Sequence, residues 1–87
     1  MPNLAPTSWH VQVAIFEADG FTLAQAKGSH MVFTRDGCLR PVIIPKHDEV
    51  SAMIIQCNMR VAEMSQSRYF ELLKRCKQKP RPIPGRG

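Results

Sequence analysis

The chain has 87 residues, of which 44% are hydrophobic and 22% are charged, and its formal net charge is +5. This length allows one domain with a small core, and this composition excludes collagen-like, coiled-coil and wholly disordered chains. No apolar run approaches the roughly 18 residues of a membrane span. We predict a disordered lead-in over residues 1–7, a single domain over 8–76 and a basic, proline-rich disordered tail over 77–87.

Most of the positive charge lies near the end of the chain. Residues 74–87 contain six basic side chains and no acid, and the rest of the chain is close to neutral. Within that body, residues 21–47 contain four cations and one acid. This pattern favours a localised site for a polyanion over a generally adhesive surface, although lysines and arginines scattered by chance would look similar.

The cysteine pattern gives no sign of a metal site or of a disulfide framework. Cys38, Cys57 and Cys76 form no CxxC pair, and no cysteine stands at a zinc-ligand spacing from a histidine. Cys57 lies on an apolar helical stripe and is expected in the core. The first residues resemble no secretory signal, so we expect free thiols and a cytoplasmic protein.

The first element is predicted to be a helix. Its expected N-cap is Ser8, or Thr7 one residue earlier, and its expected end is Gly20. Its apolar stripe at helical spacing consists of Val11, Ala14, Ile15 and Ala18.

Three strands are predicted next, over residues 21–26, 29–34 and 39–44, with turns at Lys27-Gly28 and Asp36-Gly37. An Asp-Gly pair between two β-rich segments is a strong signal for a two-residue type I′ hairpin. Such a hairpin would pair His30 with Ile43.

Alternation along these strands then defines two faces of the sheet. His30 is predicted on the open face, together with Val32, Thr34 and Ile43. The inward face takes Met31, Phe33, Val42 and Ile44.

Two helices are predicted to follow the strands. The first begins at Asp48 or Glu49 and carries one stripe of Val50, Met53, Ile54, Cys57, Val61 and Met64, beside a second of Ile55, Met59 and Ala62. Ser65 is the expected N-cap of the last helix. The predicted fold is therefore α+β in the order α-β-β-β-α-α, a three-stranded antiparallel sheet with helices on one face, as in double-stranded-RNA-binding domains.

Several short motifs resemble the HicA toxin family in order and spacing over roughly residues 9–75. They are Gly20-Phe21, Lys27-Gly28-Ser29-His30, Ile44-Pro45-Lys46-His47, Met59-Arg60-Val61-Ala62-Glu63-Met64-Ser65 and Tyr69-Phe70. The resemblance implies an mRNA interferase, that is, an endoribonuclease toxin on a double-stranded-RNA-binding-like fold, with a HicB antitoxin that covers the active site. It also implies that His30 is catalytic. Two features depart from the family: its lysine early in the first helix is replaced here by Ser8-Trp9-His10-Val11, and the basic tail is additional.

Histidine suits such chemistry for a physical reason. Cleavage of RNA without a metal removes a proton from the 2′-hydroxyl, stabilises charge on the phosphorus and protonates the leaving oxygen. An imidazole can exchange a proton near neutral pH. No cofactor is expected, and the candidate RNA contacts are Lys27, Gly28, Ser29, Arg35, Arg40, Lys46 and His47.

Other interpretations are open on the residues alone. His30 could be an ordinary solvated histidine on a strand, and His47 could be a structural neighbour of the following helix. The chain could be a non-catalytic RNA-binding module, or a degenerate toxin that still binds its antitoxin. A DNA-binding regulator is less favoured, because no helix-turn-helix with a basic recognition helix is evident.

Overall fold

The computed structural model describes residues 4–78, and the predicted tail from residue 79 onwards lies outside the described part. The element order is α1 (Trp9–Ala18), β1 (Thr22–Lys27), β2 (His30–Thr34), β3 (Val42–Pro45), α2 (Ala52–Ala62) and α3 (Gln66–Gln78). The strands form one antiparallel sheet in the order β1-β2-β3. The predicted α+β fold, with its α-β-β-β-α-α order, is confirmed.

Helix α1 begins and ends as predicted but buries a different face. The hydroxyl of Ser8 accepts a hydrogen bond from the Val11 amide at 3.4 Å and caps the helix. The buried residues are Gln12, Ile15 and Phe16, and Ala18 is exposed. Of the predicted stripe, Ile15 is fully buried and Val11 is partly buried against the core, whereas the prediction is wrong at Ala18.

A buried polar network accounts for this rotation of the helix. The Gln12 side-chain amide donates to the Thr7 hydroxyl at 2.8 Å and to the Tyr69 hydroxyl at 2.9 Å. Gln12 is fully buried and Tyr69 is 1% exposed. A buried amide requires such partners, and apolar periodicity cannot reveal them.

Strands β1 and β2 join through a tight turn at Gly28-Ser29. Lys27 and His30 are the last paired residues before the turn. Gly28 adopts φ +59°, in the left-handed region that glycine enters readily. The turn thus lies one residue later than predicted.

The connection between β2 and β3 is longer than predicted, and the register differs. His30 pairs with Pro45 and Phe33 pairs with Val42, so the ladder is shifted by two residues from the expected one. The Asp36-Gly37 turn is present, with the Cys38 amide donating to the Arg35 carbonyl at 3.0 Å. However, only Gly37, at φ +88°, has a positive φ there, whereas a type I′ turn needs two.

A shift of two residues leaves each side chain on its predicted face. Phe33, Val42 and Ile44 are fully buried against the helices, whereas His30, Thr34 and Ile43 are exposed. The two predicted faces of the hairpin are confirmed, and one face of the sheet carries no helix among the described residues. The core is completed by Ile15, Phe16, Phe21, Val50, Ile55, Met59, Ala62, Met64, Tyr69 and Leu72.

The outer edge of β3 is closed by groups that are not part of a strand. The Ile43 amide donates to the Asn58 side-chain oxygen at 3.3 Å, and the Asn58 amide donates to the Ile43 carbonyl at 2.9 Å. Pro45, the next residue whose backbone faces outward, has no N–H, and its carbonyl accepts from the His47 amide at 2.8 Å. These contacts satisfy the outward-facing backbone groups of the edge strand.

Helix α2 begins later than predicted and turns the other stripe inward. Its N-cap is Ser51, because the preceding Val50 pairs with Thr7 in an isolated bridge. The predicted second stripe of Ile55, Met59 and Ala62 is buried, together with Asn58. Met53 is 74% exposed and Cys57 is also exposed, so the prediction that Cys57 lies in the core is wrong. Helix α3 starts as predicted, since the Ser65 hydroxyl accepts from the Arg68 amide at 3.1 Å.

Candidate active site at the start of strand β2

His30 is the first residue of β2 and stands on the helix-free face of the sheet. Its side chain is exposed, and its Cα neighbours across the sheet are Lys27 on β1 and Pro45 on β3. Directly opposed residues of an antiparallel pair point to the same face, with Cα atoms about 4.5–5.5 Å apart. The Lys27 ammonium group and the His30 imidazole therefore share one exposed surface.

The turn beside His30 leaves open space for a ligand. Lys27, Gly28 and Ser29 are all exposed, and a Cβ added at Gly28 would meet no atom within 4 Å. A bare backbone at the end of a hairpin admits a close approach by a bulky anion.

The segment after β3 returns to the same end of the sheet. The Lys46 amide donates to the Ser29 carbonyl at 2.7 Å, which continues the β2–β3 ladder past its last named pair. Lys46 and His47 are both exposed. Five of the predicted RNA contacts thus lie at the same end of the sheet as His30. We call His30 and these five residues the His30 group: Lys27, Gly28, Ser29, Lys46 and His47.

The first turn of α1 is attached to this group of residues. The Trp9 amide donates to the His47 carbonyl at 3.1 Å. The Trp9 and His10 rings lie 3.8 Å apart at their centroids with an interplanar angle of 30°, and the Lys46 ammonium lies 5.7 Å from the Trp9 ring centroid. No pattern in the sequence marks Trp9 or His10 as functional residues, because a backbone contact across 38 positions leaves no local signal.

Arg35, another predicted RNA contact, lies at the opposite end of the sheet, after the last residue of β2. Its guanidinium donates to the Asp19 carboxylate at 2.8 Å, to the Asp19 carbonyl at 2.9 Å and to the Ala62 carbonyl at 3.1 Å. It also lies 4.6 Å from the Phe21 ring centroid. These contacts connect α1, β2 and α2 in the folded chain.

Arg40 lies in the β2–β3 connection and is likewise remote from His30. It lines a cleft of about 490 Å³ together with Cys38, Leu39, Cys57, Arg60 and Glu63. The cleft also includes Arg35 and Gly37, so it belongs to the end of the sheet opposite the His30 group. The structure therefore does not bring Arg35 and Arg40 together with the other predicted contacts.

Burial changes the pKa of two side chains on helix α3. Burial raises the pKa of Tyr69, partly opposed by its hydrogen bond from Gln12. Burial also raises the pKa of the Cys76 thiol, against the nearby charge of Arg75. Within residues 4–78, no three His, Cys, Asp or Glu side chains come together to hold a metal ion. None of the helices in this part of the chain combines the length and the apolar character that a membrane span requires.

Comparison with known proteins identifies the family. The family model for the HicA toxin of bacterial toxin–antitoxin systems matches residues 9–64, well over half of the chain. No curated protein matches the chain. The matched segment runs from the start of α1 to just past α2 and includes every residue of the His30 group. Membership of a toxin–antitoxin family implies an antitoxin partner. The chain belongs to the HicA toxin family of bacterial toxin–antitoxin systems.

Proposed function

We propose that the protein is a metal-independent endoribonuclease that acts in the cytoplasm on messenger RNA, with His30 as its acid–base residue. The observation that carries this proposal is an exposed imidazole on the helix-free face, opposite Lys27 and beside an open glycine turn. Membership of a toxin family supports the same assignment.

The chemistry requires one proton to leave and one to arrive. The His30 imidazole takes the proton of a ribose 2′-hydroxyl, and the 2′-oxygen attacks the adjacent phosphorus. The bond from phosphorus to the 5′-oxygen breaks, and that oxygen is protonated by the imidazolium or by water. The products are a 2′,3′-cyclic phosphate and a 5′-hydroxyl. Acid–base catalysis of this kind contributes roughly 10²–10⁴-fold, so a single histidine makes a slow nuclease.

Charge stabilisation is assigned to the cations that flank His30. Lys27 and Lys46 are exposed, so their ammonium groups can reach the non-bridging oxygens of a phosphate above the turn. Gly28, Ser29 and His47 border the same space and complete the proposed RNA contacts. Arg40 is a candidate contact only for a phosphate remote from the cleaved one, because it lies at the other end of the sheet. The contacts of Arg35 favour a structural role over RNA binding.

The decisive experiment compares His30→Gln with the unmodified protein on labelled single-stranded RNA in the presence of a chelator. We expect the native protein to give fragments ending in a 2′,3′-cyclic phosphate and the variant to give none. His30 is exposed, so both proteins should unfold at the same urea concentration. Arg60→Gln, an exposed change in the remote cleft, serves as the control with normal cleavage. Equal cleavage by His30→Gln would refute the assignment, and retention of RNA by both proteins without cutting would favour a binding module.

The proposed partner is a HicB-like antitoxin that covers His30. A toxin of this kind must be held inactive in its own cell, and occlusion of an exposed catalytic group is the simplest means. Titration with a purified HicB-like protein should abolish cleavage at one equivalent and protect His30 from chemical modification. Binding without loss of cleavage would contradict this arrangement.

A further inference from the structure

Trp9 and His10 form an aromatic and cationic group with Lys46, and the proposed cleavage reaction uses only Lys46 of the three. We propose that this group is a subsite for an unpaired nucleotide, whose base stacks on the Trp9 indole while Lys46 contacts the neighbouring phosphate. The inference rests on the proposed function, because it assigns a substrate contact to the same site. We call these three side chains the Trp9 subsite.

The backbone places the Trp9 subsite next to His30. His30 is paired with Pro45, Lys46 follows Pro45, and the Lys46 amide donates to Ser29 at 2.7 Å. The Trp9 amide donates to His47 at 3.1 Å, so α1 begins against this same segment. A strand of RNA held at His30 can therefore reach the Trp9 ring within a nucleotide or two.

The Trp9 ring is both anchored and accessible. It is partly buried and packs against the edge of the core, whereas His10 and Lys46 are exposed. The Trp9 and His10 rings pack against each other, with their centroids 3.8 Å apart, and this contact holds the Trp9 ring in place before a ligand binds. Such a surface, combined with a cation, is how proteins hold single-stranded nucleic acid.

A stacked base binds the Trp9 ring more strongly than the Lys46 ammonium does, so a base can replace the ammonium at the ring. The ammonium lies 5.7 Å from the Trp9 centroid, near the limit of a cation–π contact, and such a contact at an exposed site gives about a two- to fivefold preference. Stacking of a base on an aromatic side chain gives about a five- to 150-fold preference. The base therefore displaces the ammonium, which is then free to bind a phosphate next to that base.

The requirement for an unpaired base defines the substrate class. In an A-form duplex each base is stacked within the helix, and its face is not available to a protein ring. The Trp9 subsite therefore selects single-stranded segments.

The test uses Trp9 itself as the probe, since it is the only tryptophan in the chain. The full chain is titrated with a short RNA whose 2′-hydroxyls are all methylated, so that cleavage is impossible. We expect saturable quenching of Trp9 fluorescence by the single strand and little quenching by the same strand annealed to its complement. Binding that leaves the fluorescence unchanged, equal quenching by the duplex, or no binding of either RNA would each overturn the proposal.

Variants then separate stacking from charge. Trp9→Leu should weaken binding of the methylated single strand about tenfold, and Trp9→Phe, which keeps a ring, should weaken it less. Lys46→Gln should lower the salt dependence of binding by about one counterion, and Arg60→Gln should leave the affinity for the methylated strand unchanged. Equal affinities of Trp9→Leu and the native protein would refute the stacking contact.

The two proposals fail in different ways. If His30→Gln still cleaves RNA while Trp9 is quenched, the assignment of His30 fails and the Trp9 subsite stands. If His30→Gln is inactive but Trp9 is not quenched, the nuclease stands and the subsite fails.

Discussion

The guanidinium of Arg35 donates to the carboxylate of Asp19 at 2.8 Å, across 16 positions of the chain. Asp19 also accepts from Arg68 of α3 at 3.3 Å, so this one carboxylate binds both Arg35, which follows β2, and Arg68. The Asp19 side chain is only 13% exposed. Arg35 is therefore part of the framework of the fold, although its charge suggested a contact with RNA.

This arrangement predicts that Arg35→Ala lowers stability. Loss of the three hydrogen bonds that this partly exposed guanidinium donates should cost about 1–3 kcal/mol in the free energy of unfolding. Arg40→Ala, an exposed change five residues away, should alter it by less than about 0.5 kcal/mol. Urea unfolding of both variants checks this, and a fully stable Arg35→Ala protein would show that the contacts with Asp19 and Ala62 contribute nothing.

Two glycines provide a matched test of the turn beside His30. Gly28 and Gly37 both have positive φ, and neither would bring a new Cβ within 4 Å of another atom. Gly28→Ala and Gly37→Ala should therefore each cost about 1–2 kcal/mol of stability through backbone strain. Only Gly28→Ala should also reduce RNA cleavage, measured at a temperature where both variants are folded. A similar loss in the two variants would mean that Gly28 has no role beyond the turn.

Asn58 is predicted to be essential for the closed edge of β3. Asn58→Ala removes both hydrogen bonds to Ile43 and should cost about 1–3 kcal/mol. Asn58→Asp retains an acceptor for the Ile43 amide but places a carboxylate against the Ile43 carbonyl, so it should cost more. The urea midpoints should follow the order native, Ala, Asp, and a stable Asp variant would contradict this description of the edge.

Tyr69 is predicted to make the stability of the folded state depend on pH in the alkaline range. Because burial raises the pKa of Tyr69 above its ordinary value of 10.0, the folded state keeps the phenolic proton at pH values where the unfolded chain loses it. Stability should therefore fall as the pH rises past about 10. Tyr69→Phe should be less stable at neutral pH by about 1 kcal/mol, through loss of the bond from Gln12, but should lose less stability on alkaline titration. Parallel pH profiles for the two proteins would exclude this role.

The three thiols should react at different rates. Cys57 is exposed, whereas Cys38 donates to the Val61 carbonyl at 3.2 Å and burial raises the pKa of Cys76. One thiol per chain should therefore react quickly with a thiolate-specific reagent, and Cys57→Ser should remove that phase. Survival of the fast phase in Cys57→Ser would place the reactive thiol elsewhere.

The sequence was most informative where structure depends on local chemistry. Ser8 and Ser65 cap helices because a short hydroxyl side chain satisfies the free amides of a first turn. The sheet faces followed from alternation, which a register error of two residues leaves unchanged.

Features that depend on distant partners could not be predicted. Helix α2 begins late because Val50 pairs with Thr7, and Gln12 is buried because Thr7 and Tyr69 accept its hydrogens. The candidate site shows the same division. The Lys27–His30 motif indicated its centre, but the position of Trp9 depends on a hydrogen bond to His47.

The sealed edge of β3 also limits how copies of this protein can assemble. In the part of the chain that the structure describes, β1 borders no other strand on its outer side, and all six of its residues are exposed. The sheet thus has one border at which an incoming strand can bind. Two molecules joined β1 to β1 would leave no border for a third, so sheet-to-sheet association ends at a twofold pair and cannot propagate into a filament.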